Sequence, residues 1–309
     1  MKKATLSLIL LCICLFCFTT LTNAQEKELQ IITKTNGDRS VSFTAEKRSP
    51  GTYTIVMNFK DLTNVASVGN PIYKVKYLND NFLTLNPSDK TKGIGYGYSY
   101  SYIRGELKPK FNPLFLYALP YAKGKKVRAV ESSFFNATYF GSTTPEDWKA
   151  YRFYTEQADT VTAIRKGMVV SVSDLYDEDN KDVTYTSKVN TVIIEHVDGS
   201  LATYKGFKKG IFVKEGQTVF PGTELGVNNM MNDRYGISLM ITYLKSVDFE
   251  ANKKSKDSKS LYGFVTPYFC TEENLNGVLT NQKYYTSIIT PEIVQKEMSK
   301  KEIKNLEKK

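Results

Sequence analysis

The stretch that decides the fold is "IFVKEGQTVFPGTELG", Ile211–Gly226, in which glycines recur between short apolar runs. They stand at Gly216, Gly222 and Gly226. Glycine adopts backbone conformations with positive φ at no steric cost, so this spacing predicts tight turns between short strands. The stretch therefore predicts a compact stack of β-sheets with sharp corners.

The segments around this stretch also have the pattern of strands. "NTVIIEHVDGSLATYKGF", Asn190–Phe207, carries Asp198 and Gly199 between two apolar runs, and a type I′ hairpin turn favours that dipeptide because both central residues need positive φ. Further strands are predicted in "AYRFYTEQADTVTAIRKGMVVSV", Ala150–Val172, and in "YGISLMITYL", Tyr235–Leu244. The predicted fold class is all-β.

The chain divides into three predicted parts after its first 24 residues. Several short alternating strands at 25–119 predict a β-sandwich-like N-terminal domain, and the strands described above form an antiparallel β domain at 120–270. The extension at 271–309 contains a short basic helix, which begins with Thr290 as N-cap and Pro291 at the first helical position. We expect this helix to lie on the surface or to fray, because most of its residues are Lys and Glu.

The first residues, "MKKATLSLILLCICLFCFTTLTNAQ", have the pattern of a secretory signal peptide. A charged start, an apolar run and a small-residue cleavage site predict removal of residues 1–24 and export to the periplasm, the cell envelope or the outside. The apolar run is shorter than the roughly 20 residues of a membrane-spanning helix, so no transmembrane segment is predicted. Removal would leave Cys270 as the one cysteine, expected to pack as a small hydrophobe.

Charge and histidine content narrow the function classes. The formal net charge is +10, which in an exported protein favours anionic glycans, wall polymers or lipid headgroups over nucleic acid. His196 is the only histidine, and no second histidine can join it in a metal site. We therefore interpret His196, together with Asp198 and Gly199, as part of a structural hairpin.

Read in order, four segments resemble the lysostaphin-type (M23) zinc metallopeptidase domain, over roughly Leu119 to Leu244. "AYRFYTEQADTVTAIRKGMVVSV" is similar to the family's A-x-D-F, V-x-A and G-x-V-V segments, and "NTVIIEHVDGSLATYKGF" to its I-x-H-x-D-G hairpin and Y-x-H-L segment. "IFVKEGQTVFPGTELG" is similar to its glycine-punctuated loop, and "YGISLMITYL" stands in place of its H-L-H-F strand. The upstream β-rich region resembles exported members of the Bacteroidetes kind.

The resemblance implies a zinc site whose residues this chain lacks. The family's aspartate falls on Arg152, its Y-x-H-L histidine on Gly206, and its H-x-H pair on Ser238 and Met240. Where the first histidine is expected, the stretch "STTPEDWKA" offers only acidic residues, Glu146 and Asp147. An arginine has no acceptor lone pair, and a thioether suits softer metals than zinc, so we predict that the zinc site is lost and that no cofactor is bound.

The resulting hypothesis is an inactive M23-like protein that binds a component of the cell envelope. Its degenerate cleft is predicted at Arg152, Tyr204, Gly206, Ser238 and Met240, and its partner is murein peptide, an anionic glycan or an envelope protein. One alternative is an active cell-wall peptidase with a rearranged site. Another is a structural or interaction protein that acts through the N-terminal domain.

A calcium site is a further alternative for the acidic run "DLYDEDNKD" at 174–182. Calcium prefers carboxylate oxygens, but the run lacks the D-x-D-x-D-G spacing of a calcium loop. An acidic, solvated hairpin tip is the simpler interpretation.

Overall fold

A computed structural model describes residues 27–133, 144–177, 188–231, 233–249 and 260–307. Within these ranges the chain is mostly β-structure, with two short helices, which confirms the predicted all-β class. The predicted signal peptide lies outside the described residues. Within the same ranges, no helix is long and apolar enough to cross a membrane.

The first part of the chain forms two three-stranded antiparallel sheets, in the orders β1-β2-β5 and β4-β3-β6. The strands are β1 (Leu29–Thr35), β2 (Val41–Lys47), β3 (Tyr53–Thr63), β4 (Ile72–Val75), β5 (Asn79–Leu85) and β6 (Gly95–Arg104). Alternation decides which side chains face inward: in β2, Val41, Phe43 and Ala45 are buried in a core that both sheets share. The two sheets therefore pack as a sandwich.

A ladder of tyrosines in β6 helps to join the two sheets. Tyr96, Tyr98, Tyr100 and Tyr102 lie on one face of the strand, and successive ring centroids are 6.3 to 6.4 Å apart. The Tyr98 hydroxyl donates to a main-chain carbonyl of β1, that of Ile31, at 3.4 Å. The alternating "GYGYSYSY" pattern therefore supplies the aromatic wall of the sandwich.

Among the residues that the structure describes, the second part of the chain is built around a ten-stranded sheet. Its main path runs β14-β11-β12-β13-β17-β9-β8-β20, and β16 and β18 also pair with β17. Two smaller ladders join β10 to β15 in antiparallel and β7 to β19 in parallel orientation. The strands are β7 (Leu116–Ala118), β8 (Lys126–Glu131), β9 (Tyr151–Thr155), β10 (Thr160–Thr162), β11 (Gly167–Ser173), β12 (Asn190–Glu195), β13 (Leu201–Phe207), β14 (Thr218–Val219), β15 (Glu224–Val227), β16 (Asn229–Met231), β17 (Arg234–Leu244), β18 (Tyr262–Phe264), β19 (Tyr268–Cys270) and β20 (Tyr284–Thr286).

The core of this second part takes side chains from both ends of its sequence. In the central strand β17, Ile237, Leu239 and Ile241 are buried on one face of the sheet. The same hydrophobic cluster includes Phe115, from the region assigned by sequence to the N-terminal domain, and Tyr285, from the predicted extension. The continuous core thus extends beyond both ends of 120–270.

The glycine-punctuated stretch folds as its spacing predicts. Gly216 and Gly222 adopt φ values of 83° and 87°, which are turn conformations that favour glycine. Gly226 has a different role, because a Cβ there would lie 2.9 Å from the Phe207 ring. Two glycines therefore make turns and the third permits close packing between strands.

The Asp198-Gly199 hairpin forms, but its turn is not the predicted type I′. Only Gly199 has positive φ, at 83°, and its amide donates to the carbonyl of His196 at 3.0 Å. The His196 amide in turn donates to the carbonyl of Ser200 at 2.9 Å. This is a three-residue loop in which a tight turn ends at a left-handed glycine.

The sandwich and the large sheet are joined through Glu195, a buried carboxylate at the end of β12. Glu195 accepts hydrogen bonds from the Thr52 amide at 2.7 Å and the Thr52 hydroxyl at 2.5 Å. Gly51 makes room for this contact, because a Cβ there would lie 2.7 Å from the carboxylate. A second link is the Tyr262 hydroxyl, which donates to the Arg104 carbonyl at 2.6 Å.

Replacing Glu195 with alanine should destabilise the protein, because two buried donors of Thr52 would lose their acceptor. We expect Glu195→Ala to lower the free energy of unfolding by about 1–3 kcal/mol, measured by chemical denaturation. Glu195→Gln keeps one acceptor oxygen and should lose less. Equal stability of the alanine variant and the wild type would show that this contact does not hold the two parts together.

Candidate functional site

Three polar side chains stand in one row across the centre of the large sheet. Ser238 of β17 pairs in register with Arg152 of β9 on one side and with Lys205 of β13 on the other. Directly opposed residues of antiparallel strands share a face, so all three side chains project from the same side of the sheet. The row places a hydroxyl between two cationic side chains.

A second row lies beside the first on the same face. Met240 of β17 pairs with Thr203 of β13, two residues along each strand from Ser238 and Lys205. Lys205 is exposed, and the other members of the two rows are partly buried. We call the side of the sheet that carries Arg152, Ser238, Lys205, Met240 and Thr203 the open face, because the opposite side packs on the hydrophobic core.

Tyr204 does not belong to this site, contrary to the sequence prediction. It alternates with Lys205 along β13, so its side chain points into the core, where it is fully buried. Its hydroxyl accepts a hydrogen bond from the Ile164 amide at 3.0 Å, and burial raises its pKa. Tyr204 is therefore a core residue.

Gly206 contributes backbone geometry rather than a binding group. It has φ of 106° and lies where the pairing of β12 with β13 shifts register, between Asn190 and Thr191. Such a shift is a β-bulge, which glycine accommodates without strain. Of the five predicted cleft residues, the structure thus brings Arg152, Ser238 and Met240 together on the open face, beside Lys205.

The residues of the open face do not fit a zinc ion. Zinc is bound by thiolate, imidazole or carboxylate, whereas these rows offer a guanidinium, an ammonium, two hydroxyls and a thioether. Arg152 and Lys205 carry positive charge and would repel a divalent cation. In the part of the chain that the structure describes, no three His, Cys, Asp or Glu side chains are grouped as a metal site would require.

The acidic residues that sequence analysis considered have other partners. Asp147 accepts a hydrogen bond from the Phe264 amide at 3.1 Å. Asp174 accepts from the amides of Gly210 and Ile211 at 3.0 Å, and Asp177 pairs with Lys209 at 2.9 Å. The remainder of the acidic run at 174–182 lies outside the described residues, so the calcium alternative gains no support from Asp174 and Asp177.

His196 is buried in the turn of the hairpin, as the structural interpretation predicts. Its Nδ1 atom lies 2.9 Å from the Ser200 hydroxyl, and its side chain has almost no exposed surface. Burial, with a smaller contribution from the positive charge of Arg165, lowers the pKa of His196 to about 3, while Asp198 opposes the shift. His196 is therefore a neutral residue at physiological pH.

Arg165 is a buried cation that joins three segments of the chain. Its guanidinium is within 2.7 Å of Asp198 in the hairpin and makes two hydrogen bonds to Glu297, at 2.6 and 2.9 Å. It also lies 3.6 Å from the centre of the Phe115 ring. Burial alone would lower the pKa of Arg165, but Glu297 and Asp198 raise it, so the group stays charged.

The same contacts correct part of the prediction for the C-terminal helix. The tail forms two short helices, α1 (Pro291–Gln295) and α2 (Lys300–Leu306), and Thr290 caps the first as predicted. Helix α2 has no buried residue and lies on the surface, as expected. The segment before it is docked more firmly than expected, because Ile293 is buried against Ala118 and Cys270 and Glu297 is paired with Arg165. The tail is polar in composition, yet one apolar residue, Ile293, and one carboxylate, Glu297, are enough to dock it against the rest of the chain.

No protein-family model matches the sequence, and no curated protein matches it. Among solved structures, a zinc containing peptidase from Vibrio cholerae aligns over 69% of this chain and 74% of its own, with 14% identity and a TM-score of 0.28. Helicobacter pylori Csd3, from an orthorhombic crystal, aligns over 91% of this chain and 78% of its own, with 10% identity and a TM-score of 0.26. The interpretation of the open face rests on this chain's own residues.

The buried neutral state of His196 makes stability depend on pH. The unfolded chain takes up a proton near pH 6.5 but the folded chain does so only near pH 3, so stability is full above pH 6.5 and falls as the pH drops. We expect the free energy of unfolding to fall by about 2 kcal/mol between pH 7 and pH 5, measured by urea denaturation at each pH. His196→Gln should remove most of this slope, whatever its effect on absolute stability. A wild-type protein equally stable at both pH values would contradict the assignment.

Proposed function

We propose that this chain is an exported, non-catalytic binding protein of the cell envelope that holds an anionic ligand on the open face. The observation that carries the proposal is the row Arg152, Ser238 and Lys205, in which two cations flank a hydroxyl. Within the described residues, neither cation has a carboxylate partner. Both charges therefore remain available to a ligand.

The spacing of the row suits an extended polymer rather than a single small anion. Adjacent strands lie roughly 4.8 Å apart, so the backbones that carry Arg152 and Lys205 are separated by about 10 Å. Two anionic groups along one chain can span that distance, with the Ser238 hydroxyl available between them. An acidic glycan or the acidic stem peptide of murein has such groups.

The same residues weigh against peptidase chemistry on the open face. Hydrolysis requires a group that activates water or a nucleophile, such as a bound metal, an imidazole or a carboxylate. The two rows of the open face contain none of these, and the single histidine is buried in the hairpin.

Export is proposed from the signal-peptide pattern of the first 24 residues.

A comparison of metal content and hydrolysis tests the non-catalytic part of the proposal. Protein purified without chelators should contain zinc far below one ion per chain by elemental analysis, and it should not release peptides from purified murein. Stoichiometric zinc, or murein turnover above a heat-treated control, would instead favour the rearranged peptidase.

Binding tests the role of the two cations. Arg152→Gln together with Lys205→Gln should weaken binding to an anionic envelope polymer at least about tenfold, because both charges of the row are lost. The matched control is Lys34→Gln with Lys60→Gln, which removes the same charge from exposed positions in the sandwich. Binding should also weaken as the salt concentration is raised from 0.05 to 0.5 M, because the Debye length then falls to about 4 Å. Equal losses in both double variants would show that net charge, and not the row, attracts the ligand.

A further inference from the structure

A second group of cations lines a groove at the edge of the open face. The groove has a volume of about 330 Å³ and lies where β8, β9, β17 and β20 meet. Its walls carry Lys126, Arg128, Tyr154, Glu156, Arg234 and Tyr284. The volume lies within the range typical of small-ligand sites.

The register of the strands arranges aromatic and cationic groups alternately. Arg128 of β8 pairs with Tyr154 of β9 on one side and with Tyr284 of β20 on the other. Arg234 lies 5.9 Å from the centre of the Tyr154 ring, and Lys126 lies 5.6 Å from that of Tyr284. Each ring therefore has a cation beside it, and Arg128 stands between the two rings.

Gly236 makes the approach to Tyr154 possible. It pairs with Tyr154 across β17 and β9, and a Cβ at this position would lie 2.9 Å from the Tyr154 ring. The absence of a side chain lets the ring lie close to the neighbouring strand. Tyr284 is 56% exposed, so its ring is available to a ligand without rearrangement of the core.

The cations of the groove have no carboxylate partners among the residues described. Arg128 donates a hydrogen bond to the side-chain oxygen of Gln282, which leaves its charge uncompensated. Glu156 is the one carboxylate in the lining, against Lys126, Arg128 and Arg234. The groove is thus cationic overall but retains one strong hydrogen-bond acceptor.

We infer that this groove binds an acidic oligosaccharide, with sugar rings against Tyr154 and Tyr284 and an anionic substituent on Arg128 or Arg234. Aromatic rings supply flat apolar surface for the C–H faces of sugars, and arginine binds a carboxylate through two parallel hydrogen bonds. The Glu156 carboxylate accepts hydrogen bonds from sugar hydroxyls. It also disfavours a densely charged polymer such as nucleic acid.

The pairing of the strands favours a saccharide over an extended peptide. β8 and β9 lie inside the sheet, between β20 and β17, so their main-chain groups are already paired on both sides. A peptide could not add to them as a further strand. At β8 and β9, side chains alone must therefore recognise the ligand, and these combine rings with charges.

The inference rests on the proposed function, because the groove and the row share one face of the sheet. Tyr154 and Arg152 are two residues apart on β9, so their side chains project from the same side. A chain of sugars seated in the groove would continue toward Arg152 and Ser238. The row alone indicates only that the ligand is anionic, whereas the groove indicates that it is a saccharide.

Binding of three defined tetramers tests the ligand class. They are an oligomer of four galacturonate units, the neutral oligosaccharide maltotetraose and a peptide of four glutamates, each titrated calorimetrically into the full mature chain at low salt. We expect the galacturonate oligomer to bind at least about tenfold more tightly than either of the others. Equal binding of the glutamate peptide, or no binding of the galacturonate oligomer, would overturn the inference.

Substitutions then locate the site. Tyr284→Ala should weaken galacturonate binding at least about fivefold, whereas Tyr77→Ala, at a 70% exposed tyrosine of the sandwich, should leave it unchanged. Arg128→Gln provides a second variant that removes charge instead of a ring and should also weaken binding. Unchanged binding in both Tyr284→Ala and Arg128→Gln would overturn the inference.

The row variant separates the two proposals. If Arg152→Gln with Lys205→Gln abolishes binding while the groove variants do not, the proposed function stands and the groove inference fails. If only the groove variants lose binding, the groove binds the sugar and the row is not part of the site. Losses in both sets support a ligand that spans groove and row.

Discussion

The buried guanidinium of Arg165 is the contact on which the arrangement of the second β-region depends most. A charge removed from water is tolerated only when it is paired and hydrogen-bonded, and Arg165 satisfies this condition with Asp198 of the hairpin and Glu297 of the tail. Its contact with the Phe115 ring adds a third segment. Burial, reinforced by the positive charge of Arg165, holds His196 neutral, and its place inside the hairpin keeps the imidazole away from any ligand on the open face.

Much of the fold could be predicted from local patterns. In a half-buried strand, apolar and polar residues alternate, and glycine marks many tight turns. The β2 alternation and the turns at Gly216 and Gly222 are examples. The docking of the tail could not be predicted in this way. It depends on Glu297 meeting a cation from a loop more than a hundred residues earlier in the chain, and its local composition resembles a solvated helix.

The candidate site was predicted in part, and the errors have a physical cause. Motif positions placed Arg152, Ser238 and Met240 together, and strand register puts the three residues on one face of the sheet. Adjacent residues on a strand point to opposite sides, so Tyr204 belongs to the core and Lys205 to the open face. The aromatic groove was not predicted because its residues come from four strands whose pairing is not visible in any one segment.

A sheet with one buried face can change the chemistry of the other face without loss of its core. The core residues of β17 alternate with residues of the open face. Ile237, Leu239 and Ile241 are buried in the core, and Ser238 and Met240 between them lie on the open face. A cation such as Arg152 is tolerated at this position because the residue is only partly buried, while Tyr151 and Phe153 on the same strand remain packed in the core. Side chains at such positions can be exchanged without disturbing the core, so the charge of this face is set independently of the residues that fold the sheet. The strand pattern itself therefore allows this sheet to carry a cationic row on one face while its other face remains a continuous apolar core.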